Sequence, residues 1–225
     1  MANSHHESKI KLLEATLRVV RAKGYTAARV EDICATAGVT KGSFFHHFES
    51  KEDLALAAAA YWDETTRRFF AQAPYGALMD PLERILGYID FRKSLIRGEP
   101  SAFSCFAGTL VQDVFDTHPA LRDACRSIIF DHAGRIEADI EAAMRQHTPL
   151  GRWTAKSLAL HMQAVCQGAF VLAKAEGGTE AALACLDHLH RYVELLFPNR
   201  AVPASAGGLG SSSSAGSHGS RRRRL

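Results

Sequence analysis

Apolar residues recur at three- and four-residue intervals along nearly the whole chain, and alternating strand-like runs are almost absent, so the sequence commits to an all-α fold. Ile10, Leu13, Leu17 and Val20 line one face of a first helix that Gly24 ends. A second helix over about 30–37 follows Thr26. Gly38 breaks it, Val39 and Thr40 make the turn, and a short third helix runs over about 41–48 with Thr40 as its N-cap. Ser50 caps a longer helix that begins near Lys51. Further helices are expected at about 81–97, 101–115, 119–146, 154–176 and 179–197, with Pro100, Pro119, Pro149 and Gly177-Gly178 between them. From about Pro198 the composition turns to Gly, Ser and Ala, which cannot repay ordering entropy by burial, so a disordered tail is expected.

Several function classes fall away on composition. No apolar run approaches the roughly 18 to 20 residues of a membrane span, and residues 1–11 are polar, so a soluble cytoplasmic protein is expected. The five cysteines are scattered and form no Cys-x-x-Cys pair, which indicates neither a disulfide framework nor a structural zinc site. His46-His47 and the pair His188 and His190 lack carboxylate or cysteine companions at a metal-ligand spacing. No metal and no cofactor are expected. With no catalytic triad and no phosphate-binding glycine loop, the chain is not expected to be an enzyme.

The formal net charge of +3 is unevenly spread. Residues 1–51 hold eight Lys/Arg against five Asp/Glu, Arg221 to Arg224 add four charges, and the stretch between is net acidic. Positive ends suggest a polyanionic partner, although a solvated surface has the same signature. The terminal arginine run suits either nonspecific DNA affinity or an incidental tail.

The helix, Gly38 turn and short helix over 30–48 have the geometry of a helix-turn-helix. With about 100° per residue, Phe44 and Phe48 share a side of the third helix and can pack on Ile33. Gly42, Ser43, Phe45 and His46 fall on the opposite half, where small and polar groups could read a major groove. A packed helical corner with no DNA role has the same geometry.

The residues themselves decide between these readings. The run Val30-Glu31-Asp32-Ile33-Cys34-Ala35-Thr36-Ala37-Gly38-Val39-Thr40-Lys41-Gly42-Ser43-Phe44-Phe45-His46-His47-Phe48, followed by Ser50-Lys51-Glu52-Asp53-Leu54, closely resembles the signature of TetR-family regulators. The resemblance implies that Lys41, Gly42, Ser43 and His46 approach base edges, and that Thr26, Thr40, Phe45, His47 and Lys51 lie along phosphates. Thr26 and Lys51 are expected at helix starts, where free N–H groups favour a phosphate. Phe45 stands where the family commonly has Tyr, so a phosphate-directed hydroxyl is missing, and His46 replaces a frequent aromatic.

Two late stripes carry a heptad-like rhythm: Leu158, Met162, Val165, Ala169 and Leu172, then Ala182, Leu186, Leu189, Val193 and Leu196. They suit either the internal core or a four-helix bundle between two protomers, and the resemblance favours a homodimer on paired half-sites. Trp62, Phe69, Phe70, Tyr88, Phe91, Phe103, Phe106, Phe115 and Phe130 populate the middle of the chain. Rings at such spacing serve as core or line the effector cavity that the family's layout implies. Cys105 is expected in the first turn of the helix over 101–115, where the helix dipole favours a thiolate. The stretch Ser104-Cys105-Phe106-Ala107-Gly108-Thr109-Leu110 resembles the TetR subgroup related to the repressor of N-ethylmaleimide reductase, which responds to electrophiles. By the same resemblance Lys174, after Gln167-Gly168, is a basic neighbour. A small buried hydrophobe is the other reading of Cys105.

The expected organisation is a DNA-binding helix-turn-helix domain at 1–50, a sensing and dimerisation domain at 51–198, and a tail at 199–225. The expected function is a repressor released from operator DNA by a small molecule or electrophile. An activator shares the fold. A helical ligand-binding protein or enzyme with a vestigial helix-turn-helix is the rival from another class.

Overall fold

The computed structural model describes residues 2–198, and the tail at 199–225 with its arginine run lies outside the described residues. Among the described residues the chain forms ten α-helices and one 3-10 turn and no strand. No helix among them is long and apolar enough to cross a membrane. The helices are α1 (Ala2–Lys23), α2 (Val30–Ala37), α3 (Lys41–His47), α4 (Lys51–Ala71), α5 (Pro81–Ser94), α6 (Pro100–Phe103), α7 (Phe106–Val114), α8 (Pro119–Gln146), α9 (Ala155–Glu176) and α10 (Glu180–Leu196).

Local chemistry sets the short elements at the front. Gly38 ends α2 in the left-handed region at φ 67°, and the N–H groups of Gly38 and Val39 close on the carbonyls of Ala35 and Cys34. Thr40 Oγ1 then accepts from the Ser43 N–H at 3.1 Å and starts α3, while Ser50 Oγ accepts from the Asp53 N–H at 3.0 Å and starts α4.

One expected helix is two. Residues 101–115 split because Ser104 and Cys105 are both extended, and each side chain bonds to a nearby backbone group. The Ser104 hydroxyl donates to the Pro100 carbonyl, and Cys105 Sγ accepts from the Gly108 N–H at 3.3 Å. Cys105 is thus the N-cap of α7 rather than a residue of a first turn.

Two apolar cores hold the chain. The first gathers α1 to α4 around Leu12, Ile33, Phe44 and Leu54 and takes in Phe106 and Leu110 of α7 and Leu121 and Cys125 of α8. The second joins α5, the C-terminal half of α8, α9 and α10 around Ile85, Ile140, Met162 and Leu186. The heptad-like stripes expected at a dimer seam close on this second core. Leu158, Met162, Leu186, Leu189 and Val193 are all buried, Val165 is half-buried, and only Leu172 of that set faces outward. With α8 packed against α9 and α5 against α10, the apolar side of each amphipathic stripe is consumed within one chain.

Candidate nucleic-acid interface and effector cavity

Helix α3 sits on Phe44, which is fully buried, with Phe48 at 6.1 Å between ring centroids. Its other side is open. Lys41, Gly42, Phe45 and His46 are exposed, and Ser43 and His47 are half-exposed. A Cβ on Gly42 would meet only Thr40 Oγ1, at 3.7 Å, so nothing in the chain limits close approach to this face. Phe45 is 61% exposed and packs edge-on against Phe44 at 4.9 Å. Lys41 Nζ lies 2.5 Å from Glu31 Oε1, which ties α3 to α2 through a pair that is more than half exposed and hence weak. His47 Nε2 is 2.7 Å from Ser8 Oγ of α1.

Thr26 and Lys51 are placed otherwise than expected. Thr26 lies in the α1–α2 loop ahead of α2, and its N–H donates to Asp113 Oδ2 at 3.2 Å, beside the Tyr25 N–H at 2.6 Å. Lys51 does open α4, but its ammonium turns inward, donating to the carbonyls of Tyr25 and Ala28 at 3.1 Å each and lying 4.1 Å from the Tyr25 ring centroid. The loop is therefore clamped twice, its N–H groups by α7 and its carbonyls by α4. Gly24, at φ 82°, makes this approach feasible, since a Cβ there would stand 2.6 Å from Asp113 Oδ2.

A cavity of about 340 Å³ lies between the two cores, walled by side chains from α1, α4, α5, α6, α8 and α9 and by Cys105 at the start of α7. Trp62, Cys105 and Gln167 line it; Phe91 and Phe106 do not. Phe106 backs the wall at 6.2 Å from Trp62, and Phe91 stacks with Phe69 and Phe70. Lys174 opens instead onto a second hollow of about 170 Å³ that shares Cys105 and Gln167, and its Nζ donates to Thr109 Oγ1 at 3.1 Å. Gly108 admits the Gln167 amide, which a Cβ would contact at 2.0 Å.

Sequence reasoning missed the polar groups of the main cavity. Arg92 lies over Phe70, Tyr88 and Phe170 at 5.4, 5.9 and 5.4 Å from their centroids. The Tyr88 hydroxyl is 3.0 Å from His132 Nε2 and receives a bond from Gln163 Nε2 at 3.4 Å. Asp63 Oδ1 is buried without a hydrogen-bond partner. A signal existed for two of these: Arg92 follows Tyr88 by one turn, and Gln163 interrupts the apolar run of α9, so each is a polar group on a side that otherwise packs.

Burial pushes His132 down to about 3, with the charges of Arg92 and Arg135 acting in the same direction. Its unfolded value is about 6.5. The folded state thus resists protonation, so this contribution to stability is complete above pH 6.5 and is lost as pH falls from 6.5 towards 3. The slope is at most about 1.4 kcal/mol per pH unit. His132→Gln is expected to flatten the acid side of a melting-temperature profile, and superimposable profiles between pH 6.5 and 4 would refute this role.

On the far side, α9 and α10 present a second apolar face. His161, Ala164, Gly168, Val171, Leu172 and Ala175 of α9 are exposed at three- and four-residue spacing, as are Ala184, His188, Tyr192 and Leu195 of α10. His161 and Tyr192 join the two rows at 5.3 Å between ring centroids. Nothing lies within 4 Å of a Cβ on Gly168. Among the described residues no group of three or more His, Cys, Asp or Glu could hold a metal ion.

Residues 12–58 match the family described as bacterial regulatory proteins, tetR family, and residues 81–189 match the tetracyclin repressor-like C-terminal domain. The transcriptional regulator AcuR of Cereibacter sphaeroides is 30% identical over 113 residues, covering 50% of this chain and 50% of AcuR. The HTH-type transcriptional repressor NemR of Escherichia coli is 28% identical over 127 residues, covering 54% of this chain and 61% of NemR. The chain thus spans less than two thirds of either relative. A solved TetR transcriptional regulator from Chloroflexus aurantiacus is 26% identical and superimposes with a TM-score of 0.76, covering 87% of this chain and 98% of that one.

Proposed function

Since the chain belongs to the TetR family of bacterial regulatory proteins, we propose that it is a cytoplasmic, homodimeric repressor, released from a two-fold symmetric operator by a small molecule in the α4–α9 cavity. The observation that carries the reading is α3 itself: a helix anchored by a buried Phe44 whose outward half is Lys41, Gly42, Phe45 and His46. In this reading Lys41, Gly42, Ser43 and His46 face base edges. The Thr40 hydroxyl, with its oxygen already accepting from Ser43, is left to donate to a phosphate. Lys51 acts chiefly by holding the loop that orients α2 and α3. No catalytic step belongs to this function.

Helix α7 supplies the link between cavity and reading head. Cys105 at its start lines the cavity, and Asp113 near its end, roughly 12 Å away along the axis, grips the α1–α2 loop. A ligand that shifts the first end moves the second, and two heads that change separation no longer fit successive grooves.

The test is selection of duplex DNA from a random pool, followed by Gly42→Glu. An inverted repeat should be enriched. The variant should keep its melting temperature, because the site is open and Gly is the poorer helix former by about 0.5 kcal/mol, yet lose the enriched sequence. Undiminished binding by Gly42→Glu would remove α3 from the groove.

A thiol-reactive electrophile is the second reading of the effector. It is favoured by Cys105 Sγ lying at a helix N-terminus on the edge of both hollows. N-ethylmaleimide should then release wild-type protein from its operator and leave Cys105→Ser bound. Equal release of both proteins would eliminate it.

A further inference from the structure

We propose that the effector is an apolar monocarboxylate whose anion pairs with Arg92 and whose distal end carries a hydrogen-bond donor for Asp63. The inference rests on the effector-cavity reading above and deepens it. Arg92 is a permanent cation set among three aromatic rings, and no carboxylate among the described residues comes within ion-pair distance of it. The rings offset part of its desolvation and none of its charge.

Its neighbours are no counterions. Burial raises the Tyr88 phenol and the Cys166 thiol above their ordinary values, so both are neutral near pH 7. His132 is neutral as well, and the charge of Arg92 is one cause. Arg21, on the same wall, is already engaged by the carbonyls of Leu17 and Ala102 at 3.0 and 2.8 Å. A half-buried cation left in this state is costly, and a ligand anion that meets it in the cavity gains what the chain withholds. Arg92 offers one planar fork among aromatic rings, which fits a carboxylate, and the more exposed Arg135 on the same wall adds positive potential to the site.

Asp63 sets the other end. It lies seven residues before Phe70 on α4, two turns or roughly 10 Å along the axis from that ring of the Arg92 cage, and lines the same cavity. Its Oδ1 is buried and accepts nothing, so a hydroxyl or ammonium on the ligand would satisfy it. Between the two ends the wall is mostly aromatic and aliphatic, including Trp62, Phe103 and Ile128.

Calorimetry with 3-phenylpropanoate, its amide and 3-(4-hydroxyphenyl)propanoate tests the assignment on wild-type, Arg92→Met, Arg92→Lys and Asp63→Ala proteins. Wild type should prefer acid to amide by about tenfold or more. Arg92→Met should lose that preference and melt no lower than wild type, since a half-buried cation without a counterion is removed. Arg92→Lys, which keeps the charge without the planar fork, should fall between them, and the gain from the phenolic hydroxyl should vanish in Asp63→Ala. Equal binding of acid and amide, an acid preference that survives Arg92→Met, or no binding of either acid at about 10 mM would each overturn it. Operator release, followed in parallel, separates the two readings. An amide that releases DNA as well as the acid removes the anion assignment and leaves the effector cavity. An acid that binds through Arg92 without releasing DNA does the reverse.

Discussion

Gly168→Glu combined with Leu172→Glu is expected to yield a folded monomer whose affinity for a full operator falls by about 10²- to 10⁴-fold, the advantage that tethering two heads confers. The reason lies in the outward face of α9 and α10. Val171, Leu172, Tyr192 and Leu195 are 49%, 48%, 44% and 69% exposed within one chain, large apolar side chains that a monomer would present to water. Ala164, Gly168 and Ala175 keep the centre of this face low, so a second α9–α10 pair can approach closely and complete a four-helix bundle. Two carboxylates one turn apart on each protomer would meet their symmetry mates across the axis. Sedimentation and half-site binding check the outcome. A double variant that stays dimeric would move the interface elsewhere.

Phe44→Ala should have the second large effect, about 3 to 5 kcal/mol by cavity formation. Phe44 is fully buried beneath the helix-turn-helix and touches the Phe45 and Phe48 rings. Its loss removes the anchor that fixes α3 on α1 and α2. Operator binding should disappear, while binding in the cavity, whose wall Phe44 does not join, should persist. Phe45→Ala is the control: at 61% exposure it should leave the melting temperature nearly unchanged and weaken DNA binding only. Equal losses of stability from both variants would contradict this division of labour.

How far the fold was legible follows from where its information is stored. The helix-turn-helix is written locally, in Gly38, Thr40, Ser50 and the Phe44/Phe48 pair, so the turn, the caps and the buried side of α3 appear where expected. The break at Ser104 and Cys105 was not readable from apolar spacing, because it depends on side chains that bond to the local backbone. The stripes of α9 and α10 were visible, but period alone cannot tell an internal seam from an external one. That depends on α5 and α8, which arrive from distant sequence and bury Met162 and Leu186. The same limit hid the loop clamp. Asp113 lies 88 residues from Tyr25, and nothing along the chain announces that its carboxylate will take the N–H groups of Tyr25 and Thr26. Of the expected aromatic residues Trp62, Phe69, Phe70 and Phe103 line the cavity, Phe91 and Phe106 do not, and Phe170 was not foreseen, whereas Arg92 and Asp63 gain meaning only from what fails to pair with them.

The most direct measurement is a footprint of the purified protein on DNA upstream of its own gene, repeated across a salt series. A repressor of this kind should protect a two-fold symmetric site with half-sites about one helical turn apart or a multiple of it. Its affinity should fall steeply and linearly on a log–log salt plot, as phosphate contacts require. Weak protection without symmetry, or an affinity indifferent to salt, would contradict it and leave the cavity as the protein's principal function.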